Sequence, residues 1–134
     1  MALALRPEQH AFTPSVEHSL AEAYIRPLGL CYEPLAIYAG QQLVGFCSFA
    51  HLPESYHLCI LSGFLIDQAY QGRGYGRSFL QKFLAHLRRL HPECHDLRLT
   101  VHPQNQVATH LYVSLGFVKT GLVIDGEEEM RLVL

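Results

Sequence analysis

The sequence lacks an excess of basic charge, and it is poor in charged residues of either sign. Lys, Arg, Asp and Glu together make up 16% of the 134 residues, and the formal net charge is −2 at pH 7 with His neutral. This composition provides no drive for non-specific binding to nucleic acid. No apolar run approaches the roughly 20 residues that span a bilayer, and the apolar start over residues 1–5 is too short for a signal sequence. We therefore expect a cytoplasmic protein that binds neither nucleic acid nor membranes.

Paired cysteines are also lacking. The four cysteines form no CxxC motif and lie far apart: Cys31, Cys47, Cys59 and Cys94. In a cytoplasmic protein such residues are reduced, and Cys47 and Cys59 lie in apolar, strand-like surroundings. We expect thiols in the core and no disulfide framework.

One short segment has the residue types of a metal site. His91 and His95 enclose Pro92, Glu93 and Cys94. Because the proline interrupts the helix that would align the two histidines, and no further ligand follows nearby, we predict a surface loop and no bound metal.

The residues that are present indicate one domain over 1–134, since 49% are hydrophobic and the length suits a single core. A strand at 2–6 and a helix at 14–24 are followed by a hairpin (35–38 and 43–49), a loop at 51–55 and a strand at 56–66. A helix at 76–90, a strand at 97–101, a helix at 105–115 and strands at 117–124 and 127–134 complete the pattern. The unit 56–101 has the length of a right-handed parallel crossover. The fold class is α/β (mixed α+β), a mixed sheet with helices on its faces.

A glycine-rich loop lies between the buried strand at 56–66 and the helix that follows it. Its alternate glycines, Gly72, Gly74 and Gly76, allow close approach of the backbone to a ligand. Backbone amides and the positive end of the helix dipole then form a cradle for a pyrophosphate, to which Arg73 and Arg77 add charge. The alternative is a tight structural turn. The pattern is neither GxGxxG nor a P-loop, so a dinucleotide is disfavoured.

Two motifs follow one another along the chain. The first is Gln71-x-x-Gly74-x-Gly76, and the second runs from Asn105 to Phe117 with the pattern N-x-x-A-x-x-L-Y-x-x-x-G-F. Together they resemble the GCN5-related N-acetyltransferase family, whose motif A is Q/R-x-x-G-x-G/A and whose second signature has the same pattern as the second motif. The resemblance extends from about Pro34 to the C-terminus and is nearest to the small-amine and polyamine branch.

The resemblance implies a mostly antiparallel central sheet with a splayed parallel strand pair, and it implies site roles. Backbone groups of Phe64 and Ile66 bind pantetheine and the thioester, with the Ile66 amide stabilising the oxyanion. Asn105 binds pantetheine, and Tyr112 protonates the leaving thiolate. The pyrophosphate of acetyl-CoA is held by residues of the loop and the helix start: Gln71, Gly72, Arg73, Gly74, Tyr75, Gly76 and Arg77. Three of the residues given roles have a simpler structural interpretation. Asn105 could only cap its helix, Tyr112 could be a core residue, and Arg77 could be a solvated helix residue.

The chain departs from the family pattern in two places. Ser62 stands where related small-amine enzymes often carry a carboxylate, so the general base is either a water chain or one of four side chains on flanking segments: Tyr32, Glu33, Glu54 and His57. Acidic walls for a cationic substrate could come from Glu22, Glu33 and Glu54. The N-terminal strand and helix are also abbreviated, and an absent first strand would expose an edge that invites a homodimer.

The resulting hypothesis is an N-acetyltransferase that moves an acetyl group from acetyl-CoA directly to a primary amine of a small molecule, such as a polyamine or diamine. The alternatives are a protein N-terminal or lysine acetyltransferase and a non-catalytic acyl-CoA-binding module.

Overall fold

The computed structural model describes residues 29–134, which contain six strands and two α-helices. The strand and helix expected at 2–6 and 14–24 lie outside these residues. The elements are β1 (Cys31–Ala39), β2 (Gln42–Leu52), β3 (Ser55–Ile66), α1 (Tyr75–Leu90), β4 (Asp96–Val101), α2 (Gln106–Ser114), β5 (Val118–Ile124) and β6 (Glu127–Val133), with a 3₁₀ turn at Gln68–Tyr70 before α1.

The strands form one sheet in the order β1-β2-β3-β4-β6-β5. Only β3 and β4 are parallel, and the other neighbouring pairs are antiparallel. Helix α1 makes the crossover between the parallel strands. The predicted fold class, a mixed sheet with one parallel pair, is confirmed.

The β2–β3 connection is shorter than predicted. The prediction of a loop over 51–55 is wrong, because β2 continues through Leu52 and β3 begins at Ser55. Only Pro53 and Glu54 form the turn, with Glu54 at a φ of 60°. The predicted loop was based on Pro53 and included His51, but in the fold the His51 ring is buried and bonds to Glu33 at 3.0 Å, so this residue is accommodated within a strand.

Helix α1 packs its apolar stripe on one face of the sheet. Leu80, Phe83, Leu84 and Leu87 are buried as predicted, whereas Leu90 is exposed at the helix end. The main core lies here, and it also receives Tyr112 from α2 and two strand cysteines, Cys47 and Cys59. These cysteines are buried free thiols, as expected.

The C-terminal hairpin turns at Asp125 and Gly126, which have φ values of 51° and 80°. Two residues with positive φ are the requirement of a type I′ turn, so the Asp-Gly pair has the predicted role. Strand β5 is the edge strand at this side of the sheet, and all seven of its residues are exposed.

Candidate active site

The parallel strands separate into a cleft. Their pairing is confined to three residue pairs, which end at Ile60 and Arg98. Strand β3 then continues to Ile66 along β2, and β4 continues to Val101 along β6. Within the described residues, the last half of β3 is therefore paired on one side only, and this is the splayed pair that the family resemblance implied.

The free side of β3 includes the amide of Ile66. Asp67 donates its backbone N–H to the Val44 carbonyl at 2.7 Å. Because Gly45 is the register partner of Ile66, and hydrogen-bonded and non-hydrogen-bonded pairs alternate in an antiparallel ladder, the N–H and C=O of Ile66 point away from β2. Its carbonyl accepts from Gln71 Nε2 at 2.8 Å, so the side chain of Gln71 ties the loop to the cleft.

A β-bulge precedes this point. The register changes between Phe46–Leu65 and Ser48–Ser62, so two residues, Gly63 and Phe64, oppose the single Cys47. Gly63 has a φ of 61°, as the first residue of a glycine bulge requires. The Phe64 ring stacks on Phe79 of α1 at 5.9 Å between ring centroids. The bulge thus bends β3 at the mouth of the cleft and anchors it to α1.

The start of α1 is open to an anion. Gly74 occupies the N-cap with a φ of 83°, no side chain caps the helix, and no acidic residue lies in the first turn. The first intrahelical bond runs from Ser78 N–H to Gly74 C=O at 3.0 Å, so the amides of the first turn have no helical acceptor. Gly72 has a φ of 76°, and a Cβ on either glycine would meet no atom within 4 Å. These glycines are required by the backbone conformation and leave the space in front of the amides clear.

The loop side chains surround this helix end. Arg73 lies over the Tyr70 ring at 5.6 Å from its centroid, and that ring meets Tyr75 edge-on at 6.1 Å. Arg73 and Arg77 are both exposed. Gly76 packs its backbone against the cleft, where an added Cβ would lie 3.4 Å from Phe64 Cζ.

Asn105 caps helix α2. Its Oδ1 accepts from the Ala108 amide at 3.3 Å. The simpler alternative for this residue is thus observed. The cap uses only the oxygen, so the Nδ2 group retains its capacity to donate to a ligand.

Tyr112 lies in the core, 6% exposed, with its ring 5.7 Å from that of Phe117. Burial raises the pKa of its phenol, and repulsion from a Cys47 thiolate, which forms only at high pH, and from the Glu127 carboxylate adds to the increase. The phenol is therefore protonated at neutral pH, which is the form able to donate a proton. Burial likewise raises the pKa of Cys47 to about 12, so this thiol is neutral.

Two of the candidate bases lie at the opposite end of β3 from Ile66, and the other two lie on β1, level with the middle of β3. Glu33 is bonded to His51, Glu54 lies in the β2–β3 turn, and His57 Nδ1 bonds to the Glu93 carbonyl at 3.1 Å. Tyr32 pairs with Ala50 near the end of β2. None of these four residues is brought near the cleft end of β3, and Ser62 remains the residue where a carboxylate was sought.

Two features were not predicted from the sequence. Tyr56 stacks between His51 and His91, at 4.1 and 3.8 Å between ring centroids, remote from the cleft. On the cleft's other wall, Thr100 donates its hydroxyl to Glu127 at 3.3 Å. The alternation of β4 and β6 was visible in the sequence, but which carboxylate it brings to the cleft depends on their register.

The sequence matches the model of the acetyltransferase (GNAT) family over residues 3–117. The chain belongs to this family. A GNAT relative, the spermine/spermidine N(1)-acetyltransferase of Bacillus subtilis (strain 168), is 33% identical over 105 residues, which are 74% of this chain and 68% of the relative.

Solved GNAT structures share the fold. The PaiA N-acetyltransferase of Thermoplasma acidophilum in complex with coenzyme A aligns with a TM-score of 0.65 at 18% identity, over 87% of this chain and 68% of that one. The spermidine N-acetyltransferase of Vibrio cholerae in complex with CoA and spermine aligns with a TM-score of 0.66 at 20% identity, over 87% and 73%. Within residues 29–134 no helix is long and apolar enough to cross a bilayer.

Proposed function

We propose that this GNAT protein transfers an acetyl group from acetyl-CoA directly to a primary amine of a small molecule, polyamine-like in its chemistry. The observation that carries the proposal is the conjunction of an uncapped, glycine-framed start of α1 with a β3 whose free side faces an open cleft. Either feature alone occurs as ordinary structure, whereas together they suit a long ligand with a pyrophosphate at one end and a thioester at the other.

The residues fit the cofactor at both ends. The amides of residues 71–76 and the helix dipole hold the pyrophosphate, and Arg73 and Arg77 add charge-assisted bonds. Along β3, backbone groups of Phe64 and Ile66 bond pantetheine, and Asn105, at the start of α2, donates to it from Nδ2. When bound, the cofactor supplies an activated acetyl group on a good leaving thiol.

The chain's own groups then serve the transfer. The Ile66 amide donates to the thioester oxygen as negative charge develops on it, a contact of the type that contributes a few kcal/mol. Tyr112, kept protonated by burial, gives its proton to the departing sulfur. Holding amine and thioester together in the cleft contributes much of the rate. No covalent intermediate on the protein is required.

The acceptor class is supported by the relatives. The Bacillus subtilis relative is named for spermine and spermidine, and it is more than 30% identical over most of this chain. A cationic acceptor also agrees with the net charge of −2. The homodimer and the cytoplasmic location stay predictions from the sequence.

Calorimetric titration with acetyl-CoA, with NAD as control, tests the cofactor. Saturable binding of acetyl-CoA and none of NAD is the expected result. A panel of primary amines with acetylated product detected by mass spectrometry then tests the acceptor. Binding without turnover of any amine would favour a non-catalytic acyl-CoA-binding module, and absence of binding would leave the loop as a structural turn.

A further inference from the structure

The face of the sheet opposite α1 carries a row of charged side chains on β4 and β6. Arg98 contacts Asp96 at 3.1 Å and Glu129 at 3.3 Å, and Arg131 contacts Asp96 at 2.8 Å. These two cations and two carboxylates neutralise one another. The row therefore contributes no net charge to the cleft.

Glu127 stands at the end of this row and is not neutralised in the same way. It lies two residues before Glu129, so both side chains project from the same face of β6. Its partner is the hydroxyl of Thr100 at 3.3 Å, and no described cation forms an ion pair with it. The neighbouring Glu128 projects from the other face and is held by Lys119 at 2.7 Å.

The position of Glu127 follows from the register. Thr100 is the partner of Glu129, two residues beyond the last β3–β4 pair, at Arg98. Thr100 thus lies where β4 borders the open cleft, and Glu127 reaches it diagonally from β6. Thr100 is exposed and Glu127 half-buried, so a solute can approach both.

Tyr112 is buried in the core on the helical face of the sheet. The charge of Glu127 contributes to the raised pKa of Tyr112, which places the carboxylate within electrostatic range of the phenol. The Thr100–Glu127 contact therefore brings an uncompensated carboxylate to the β4 border of the cleft, and no carboxylate stands on the β3 side, where Ser62 is found.

We infer that Glu127, positioned by Thr100, is the acidic wall that binds the ammonium of the acceptor and selects a cationic amine. This inference rests on the proposed function and deepens it by assigning the carboxylate that β3 lacks. Hydrogen bonds between an ammonium and a carboxylate are charge-assisted. Removal of the Glu127 carboxylate should therefore weaken acceptor binding more than it slows the chemical step.

The test compares Glu127→Gln with Glu128→Gln in the full chain, with spermidine and an arylamine that is neutral at pH 7.5 as acceptors. For Glu127→Gln we expect the KM for spermidine to rise at least about 10-fold, kcat to stay within about 3-fold, and both constants for the arylamine to be unchanged. The matched control, Glu128→Gln, should leave every constant within about 2-fold.

An unchanged KM for spermidine in Glu127→Gln overturns the inference and spares the proposed function. A wild type that acetylates only the neutral amine overturns the inference together with the polyamine-like acceptor class, and it spares only the acetyl transfer from acetyl-CoA. A second measurement titrates spermidine into the CoA-saturated protein, where Glu127→Gln should bind at least about 10-fold more weakly than wild type. If the CoA-saturated wild type shows no spermidine binding in this titration, the inference is also overturned. Failure of the proposed function would instead appear as a wild type that does not bind acetyl-CoA.

Discussion

The backbone carbonyl of Tyr112 accepts the amide of Phe117 at 3.1 Å. With the Gly116 amide on the Val113 carbonyl at 3.0 Å, this is a Schellman motif that ends α2. Gly116 has a φ of 101°, which explains the glycine, and Phe117 is fully buried beside the Tyr112 ring. The Gly-Phe pair of the second signature is therefore part of what fixes the phenol in place.

Replacing Tyr112 by Phe should lower kcat by about 10²- to 10⁴-fold, the range for loss of a general acid. The affinity for acetyl-CoA should hold within about 3-fold, because the ring and its packing remain. Steady-state kinetics and calorimetry measure the two effects, with Tyr38→Phe, at an exposed residue, as control. Because the raised pKa keeps the phenol protonated, kcat of the wild type should show no loss of this acid up to about pH 10. Unchanged turnover in Tyr112→Phe would remove the phenol from the mechanism.

Two substitutions at Asn105 distinguish its capping of α2 from its proposed binding of acetyl-CoA. Asn105→Ala loses the cap on the Ala108 amide, so the free energy of unfolding should fall by about 1 kcal/mol. Asn105→Ser keeps a capping oxygen and neutral charge but has no amide donor. We expect Asn105→Ser to match the wild type in chemical denaturation and yet to bind acetyl-CoA several-fold more weakly. Wild-type affinity in both variants would leave Asn105 as a cap alone.

Gly45 is required by close packing, not by its φ angle. A Cβ there would lie 2.5 Å from the Leu65 carbonyl oxygen and 2.9 Å from Ile66 Cδ1. Gly45→Ala should therefore lower the free energy of unfolding by about 1–3 kcal/mol, as forced overpacking does. Gly76→Ala is the matched control, since its nearest contact would be 3.4 Å. Urea denaturation measures the free energy of unfolding of both variants. Equal values for Gly45→Ala and Gly76→Ala would show that β2 and β3 shift to make room for the added methyl group.

Asp96 should make stability depend on acid. Burial alone would raise its pKa, but hydrogen bonds from Arg98 and Arg131 outweigh burial and lower it. A depressed pKa in the folded state gives stability that is present above the unfolded value, near 3.9, and is lost as pH falls through the folded one. Asp96→Asn should lower the free energy of unfolding by about 1–3 kcal/mol at pH 7.

At pH 3 the difference in unfolding free energy between Asp96→Asn and wild type should be smaller. At that pH the carboxyl of the unfolded chain is largely protonated, so the depressed pKa of the folded state contributes less stability. Asp125→Asn, in the exposed hairpin turn, serves as control and should change little at either pH. An equal difference at pH 7 and pH 3 would exclude the ionic contribution.

Local signals accounted for most elements of the fold. The stripe of α1, the Asp-Gly turn and the crossover length each depend on residues close in sequence, and all three were confirmed. The limits of β2 and β3 were not predictable in this way. His51 looks like a loop residue until Glu33, eighteen positions earlier, is brought beside it by the β1–β2 register.

The site shows the same division. The glycine loop and the signature around Tyr112 are contiguous, so they could be recognised without the fold. The bulge at Gly63 and the approach of Glu127 to Thr100 arise from register between strands, which short-range patterns do not encode. The candidate bases were chosen without that register, which places Glu54 and His57 at the far end of β3 from Ile66.

The confinement of β3–β4 pairing to three residue pairs also bears on how the chain folds. Strands β1, β2 and β3 form a meander closed by two-residue turns, and β5 and β6 form a second local hairpin. Both units have low contact order, because their paired residues are close in sequence, so both should form quickly. Joining the two halves closes the longer connection that contains α1, for a small gain in backbone bonding. We therefore expect the folding barrier to lie at this junction, so that the cleft is also where the two halves of the sheet join last.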